Sequence, residues 1–190
     1  MEKDLRAHIL AVVKELYAKH TYADISMAMI LKEAGISKGA FYWHFKSKEE
    51  AFEAAFQECY EKAVNATHSF DRTGMDALTI LKQRMSALLE LYHREPTLVH
   101  VISHHINYMK EKGTASYPYG DFKTDVNLIV DQGIAEGAFV DMPREYISYF
   151  AFLFNLKLHS FFSEFPEFYD DIVQREKVID TLFAGLEKRK

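Results

Sequence analysis

A single cysteine, four prolines and eight glycines are spread through 190 residues, and each scarcity excludes something. Cys59 alone can form no disulfide within the chain and no multi-cysteine zinc centre, and it suits a reducing compartment. Prolines and glycines so few leave long uninterrupted stretches, which favours helices over a turn-rich all-β fold. No apolar run approaches the roughly 18 residues that a membrane helix needs. The opening Met1-Glu2-Lys3-Asp4 is charged, with no apolar segment behind it, so no signal peptide is expected and the chain reads as cytoplasmic. The sequence holds no G-x-S-x-G, no phosphate-binding P-loop and no dinucleotide fingerprint. Nor does it set a nucleophile beside a base or pair two carboxylates, so neither an enzyme nor a cofactor is expected. What is present is 48% hydrophobic and 27% charged, an ordinary globular composition with enough apolar mass for a core.

Negative charge dominates, with a net −5, but unevenly. Residues 1–48 hold eight Lys/Arg against five Asp/Glu, whereas residues 49–190 hold fifteen against twenty-three. A basic N-terminal module on an acidic body is the pattern of a nucleic-acid reader whose remainder repels phosphate.

The stretch Ser26–Lys48, SMAMILKEAGISKGAFYWHFKSK, organises the rest. Ser26 is an N-cap, and Ile30, Leu31 and Ala34 share one face of the helix behind it. Gly35 can supply the left-handed residue of a sharp turn, and Ile36 is expected to drop into the core. Ser37 caps a second helix in which Phe41 and Phe45, four residues apart, share a buried face while Lys38, Gly39, Tyr42 and Trp43 face out. Ser47-Lys48-Glu49-Glu50 is a capping box that opens a further helix. Helix, glycine turn, and helix with lysine and aromatics exposed is the layout of a DNA-binding helix-turn-helix.

The run AGISKGAFYWHFKSKEEAF resembles the end of the DNA-binding domain of the TetR family of bacterial transcriptional regulators. There a helix ending in A-G-[VI]-S leads into a recognition helix ending in Y-x-H-F and then K-x-K-E-x-L. The resemblance covers about residues 5 to 56 and implies phosphate contacts for Tyr42 and Lys48, with Ser37 near the DNA backbone. Chemistry adds Lys38 on a guanine edge, Ala40 on a thymine methyl, a close backbone approach at Gly39, and Trp43 and His44 along the groove; Ser26 completes the interface. The resemblance departs at two places. His20-Thr21-Tyr22 replaces the family's turn glycine, so a non-glycine residue is expected to hold any left-handed turn. Met27, Ala28 and Met29 stand where relatives carry Arg, Thr or acids.

An all-α chain of about nine helices is expected: a helix-turn-helix domain over 1–48, a connecting helix four over 47–68, and a helical effector-binding and dimerisation domain over 49–190. Helix one carries Leu5, Ile9, Val12, Val13 and Leu16; GTASYPYG at 113–120 reads as a loop; helix nine follows Pro166. Helix eight, about 143–163, is apolar almost all round and so needs cover on both faces. A homodimer through it and the helix at about 168–187 gives that cover and sets two recognition helices one DNA turn apart on a palindromic operator.

The resemblance further implies a small-molecule effector pocket and a repressor released from its operator when the pocket fills. Tyr92, His100, His104, Tyr108, Phe122, Phe150 and Phe154 are the lining candidates, and their rings suit an apolar or aromatic effector. Two alternatives stand beside this reading. His93, His100 and His104, with His105 adjacent, suggest a metal-responsive regulator, although no HExxH or nearby cysteine accompanies them and no metal is expected. A helical interaction module without DNA affinity is the other, and it leaves Lys38, Tyr42 and Lys48 without a purpose.

Overall fold

A computed structural model of the chain describes residues 2–113 and 120–188; at 2, 3, 120–123, 152, 155–157, 159, 160, 163, 166 and 169 it describes the backbone alone. Among the described residues ten helices follow one another: α1 (Glu2–Lys19), α2 (Met27–Ala34), α3 (Lys38–His44), α4 (Lys48–Ala66), α5 (Ala77–Arg94), α6 (Pro96–Glu111), α7 (Gly120–Ala135), α8 (Arg144–Glu164), α9 (Pro166–Asp170) and α10 (Ile172–Ala184). Among the described residues the only β pairing is an isolated bridge between Phe139 and Glu187. The expected loop at 114–119 lies outside the described residues.

The helix expected after Pro166 is divided. Asp171 adopts an extended conformation, and its carboxylate accepts the N–H groups of Val173 and Gln174 at 2.9 and 3.2 Å. An aspartate that caps a new helix ends the one before it. A similar cap sets the start of α5 at Ala77, where Asp76 accepts the Thr79 N–H at 2.8 Å.

The chain forms two compact units: Met1–Lys62 with Arg94–Tyr117, and Ala63–His93 with Pro118–Lys190. In the first, α1 packs on α2 and α6 through a core that includes Ile9, Val13, Tyr17, Ile30, Phe41, Phe45, Phe52 and Phe56. Tyr17 was not on the expected stripe of α1, yet it is fully buried while Leu16 is only half-buried. The turn after α1 contains no strained residue, contrary to expectation. Positive φ among the described residues belongs to glycines alone. The turn closes instead in right-handed geometry, with the Asp24 N–H bonded to the Thr21 carbonyl at 3.2 Å and the Thr21 hydroxyl bonded to the Asp24 carboxylate.

In the second unit α7 packs on α8, and α9 on both α8 and α10. Ile147, Ala151, Leu158 and Phe162 fill one side of α8, whereas Tyr146 and Tyr149 are each 59% exposed and Phe150 40%. Between α8 and α10 runs a groove of about 350 Å³ walled by Phe154, Leu158, Phe161 and Leu182 and edged by Gln174, Lys177 and Thr181. Among the described residues no helix is long and apolar enough to cross a membrane.

Candidate nucleic-acid interface

Each turn of the helix-turn-helix has a local cause. Ser26 Oγ accepts the Met29 N–H at 3.2 Å and starts α2. Gly35 stops it at φ 63° and ψ 32°, with its own N–H and that of Ile36 closing on the carbonyls of Lys32 and Leu31. This is the left-handed exit that a side chain would strain. Ile36 is half-buried rather than fully enclosed. Ser37 Oγ then accepts the Ala40 N–H at 3.1 Å and starts α3. The box ahead of α4 is formed with a shift: Ser47 Oγ accepts the Glu50 N–H at 3.1 Å, but the Glu50 carboxylate reaches past Ser47 to the Lys46 N–H at 2.6 Å.

These caps set where α3 begins and ends, and its two buried rings set its roll. Phe41 and Phe45 point inward with ring centroids 5.7 Å apart, and Arg6 of α1 lies over Phe45 at 5.1 Å. The outward side then presents Ser37, Lys38, Gly39, Tyr42 and Trp43 to solvent, with Ala40 and His44 half-buried beside them. Ser26, the N-cap of α2, is exposed as well. The Trp43 ring is 75% exposed, an unusual position for the chain's one tryptophan. The Lys38 ammonium lies 5.9 Å from the centroid of the Tyr42 ring.

Gly39 is informative. Its φ is not left-handed, and a methyl group there would meet nothing of this chain nearer than Ser37 Oγ at 3.9 Å. A helix glycine is about 1 kcal/mol worse than alanine, and here neither backbone geometry nor packing within the described chain requires it.

Lys48, at the first turn of α4, is more occupied than the sequence suggests. Its ammonium donates to the carbonyls of Tyr22 at 2.7 Å and Ile25 at 2.6 Å, and sits 3.9 Å from the centroid of the Tyr22 ring. Burial lowers its pKa from the usual lysine value. Of the nine candidates, Ser37, Lys38, Gly39, Ala40, Tyr42, Trp43 and His44 lie on α3 or cap it, Ser26 caps α2, and Lys48 opens α4.

Residues 9–55 match the model of the bacterial regulatory proteins of the tetR family. The match runs from Ile9 of α1 into the second turn of α4 and so takes in the whole helix-turn-helix. Among curated relatives the chain is 28% identical over 114 residues to the HTH-type transcriptional regulator AcrR of Shigella flexneri, covering 57% of this chain and 53% of that one. It is 38% identical over 66 residues to the HTH-type transcriptional regulator QacR of Staphylococcus aureus, covering 31% and 35%. The chain thus spans about half, or less, of the curated relatives it matches. The fold extends further than the sequence likeness. A TetR-family transcription regulator of Marinobacter aquaeolei superposes with a TM-score of 0.79 at 18% identity, over 98% of this chain and 97% of that one.

The TetR effector candidates do not form one group within either unit. His100 is exposed. His104 Nδ1 lies 2.6 Å from the Tyr17 carbonyl, and the Tyr108 hydroxyl donates to Glu49 at 2.7 Å, so both serve the first unit. In the second unit Tyr92 is buried, and burial raises its pKa; Phe150 is partly exposed and Phe154 walls the groove between α8 and α10. The side chain of Phe122 lies outside the described residues. Among the described residues no three His, Cys, Asp or Glu converge as metal ligands. Cys59 is buried, and burial pushes its thiol up to about 11, so thiolate reactivity is suppressed.

The histidine with structural weight is the neighbour that the i, i+4 spacing passed over. His105 is 1% exposed and stacks on Phe56 at 4.1 Å, with Nδ1 3.4 Å from the Tyr17 hydroxyl. Its Nε2 lies 3.1 Å from a Glu53 carboxylate oxygen but without hydrogen-bond alignment. The signal available in the sequence was its register with Leu98, Val101 and Ile102, a run that the helix period carries onto one side of α6.

Proposed function

We propose that the chain is a sequence-specific transcriptional regulator, a repressor that leaves its operator when a small-molecule effector binds, and that it works in the cytoplasm. The observation that carries this reading is the outward face of α3, where a glycine with no structural reason inside the described chain stands among an exposed lysine, tyrosine and tryptophan. Lys38 reads a guanine edge, Ala40 a thymine methyl, and Tyr42, Ser37 and Lys48 hold the phosphate backbone. A homodimer through α8 and α10 completes the proposal at the other end of the chain. The open aromatic side of α8 and its groove with α10 would be covered by the same helices of a second copy. Two α3 helices about 34–36 Å apart then meet successive major grooves. The ring-rich candidates of the C-terminal region favour an apolar or aromatic effector.

Fluorescence anisotropy against the duplex just upstream of the gene, with a shuffled duplex as control, tests the proposal. Tight binding to the native duplex alone, at two subunits per site, is the expected result. Trp43 gives a second reading without a label, since docking of α3 should quench or shift its emission. If ligand-free refolded protein binds neither duplex even at low salt, the proposal fails.

Two substitutions divide the roles. Lys38→Ala should relax preference at one base position by about 1–3 kcal/mol; an equal loss on every sequence would make Lys38 a backbone contact. Lys48→Ala should weaken binding to all sequences alike and lower the slope of log K against log salt by about one unit. An unchanged slope would reduce Lys48 to a staple between α4 and the turn before α2.

A further inference from the structure

Tyr22, in the turn between α1 and α2, meets Lys48 in two ways. Its carbonyl accepts one N–H of the ammonium at 2.7 Å, the Ile25 carbonyl accepts another at 2.6 Å, and the ring face lies 3.9 Å beneath the same nitrogen. A lysine ammonium has three N–H groups, and the two carbonyls account for two of them. A free lysine side chain has rotamer entropy to lose, which a phosphate contact would otherwise have to overcome; here the side chain is ordered in advance. The aromatic face adds an attraction that is strongest where water is displaced.

The ring is itself wedged. The edge of Phe52 meets it at 5.0 Å and 84°, and Tyr108 of α6 leans on it at 4.3 Å. Tyr108 is tied to α4 by its hydroxyl, which donates to Glu49 at 2.7 Å, and Lys112 pairs with the same carboxylate. Lysine and carboxylate both belong to the first turn of α4, which opens four residues after the end of α3.

We propose that Tyr22 is a positioning residue for DNA: its carbonyl and ring fix the Lys48 ammonium so that the remaining N–H meets a backbone phosphate, and Tyr108 holds the ring in place from behind. The inference rests on the DNA-binding reading above. It differs from a packing role because it makes the strength of an ionic contact depend on a neutral side chain.

The test is a salt titration of affinity for the upstream duplex with the full-length protein and its variants Tyr22→Leu, Tyr22→Phe, Lys48→Ala and the Tyr22→Leu/Lys48→Ala pair. Tyr22→Leu should lower the salt slope by about one unit, as Lys48→Ala does. Tyr22→Phe, which keeps carbonyl and ring, should retain the wild-type slope, and the pair should match Lys48→Ala alone. A wild-type slope in Tyr22→Leu, or a further loss in the pair, overturns the proposal. Should Tyr22→Leu lose its helical circular dichroism, pentafluorophenylalanine at position 22 keeps the shape while removing the negative ring face. The slope should again fall by about one unit, and a wild-type slope overturns the proposal there too. Wild-type protein that binds no duplex sinks the DNA-binding reading itself and this inference with it, a result read before any variant is compared.

Discussion

Truncating Phe41 to alanine is expected to lower the stability of the first unit by about 3–5 kcal/mol and to abolish discrimination between the upstream and shuffled duplexes. The ring is fully buried. Its helix, α3, has seven residues, far fewer than the roughly 12–15 that make an isolated helix even marginal in water. The caps at Ser37 and Phe45 define where α3 begins and ends, but only burial of Phe41 and Phe45 decides which side faces out. Removing the Phe41 ring opens a cavity beside Phe45 and also frees α3 to roll, so affinity is lost together with stability. Urea denaturation followed by far-UV circular dichroism reads the first effect and anisotropy the second. Phe41→Leu, which leaves a smaller cavity, should lose clearly less of both. A wild-type urea midpoint for Phe41→Ala would mean that the recognition helix is held by something other than this ring.

The reading head was legible in the sequence because its determinants are local. Ser26, Gly35 and Ser37 act within three or four residues of themselves, and the spacing of Phe41 and Phe45 needs only the helix period. Caps were less legible where two candidates compete. Glu50 reaches Lys46 instead of Ser47, and Asp171 outcompetes the continuation of a helix that looked continuous from Pro166. Contacts between distant segments were not legible at all. Nothing near Lys48 in sequence announces that the carbonyls of Tyr22 and Ile25 will surround it, and nothing near Tyr17 announces His105, 88 positions away. The exposed and buried sides of α8 show the same limit from the other direction. An all-round apolar helix has no periodicity to choose its inner face, so Ile147 and Phe162 could be separated from Tyr146 and Tyr149 only once α7, α9 and α10 were in place.

Acidification should destabilise the first unit through His105. Its imidazole is enclosed by Tyr17 of α1, Phe56 and Glu53 of α4, and Tyr108 of α6, and burial pushes its pKa down to about 4 from an ordinary 6.5. The Glu53 carboxylate, 3.1 Å from Nε2, pulls the other way. That carboxylate is half in water, which screens its attraction, and its own pKa is raised by burial and by Glu49, so it tends to neutralise as the pH falls. Burial therefore decides the direction. Between about pH 6.5 and pH 4 the unfolded chain binds a proton at this position that the folded chain refuses, so stability is complete above the unfolded value and is lost as the pH falls toward the folded one. The expected loss from this group at about pH 4.5 is roughly 2–3 kcal/mol. Urea midpoints measured across that window should show a dependence on pH that His105→Leu flattens by about one proton, whatever the leucine does to stability at neutral pH. An unchanged dependence in His105→Leu would mean that the acid sensitivity belongs to the surface carboxylates, and that Glu53 holds the buried imidazole charged.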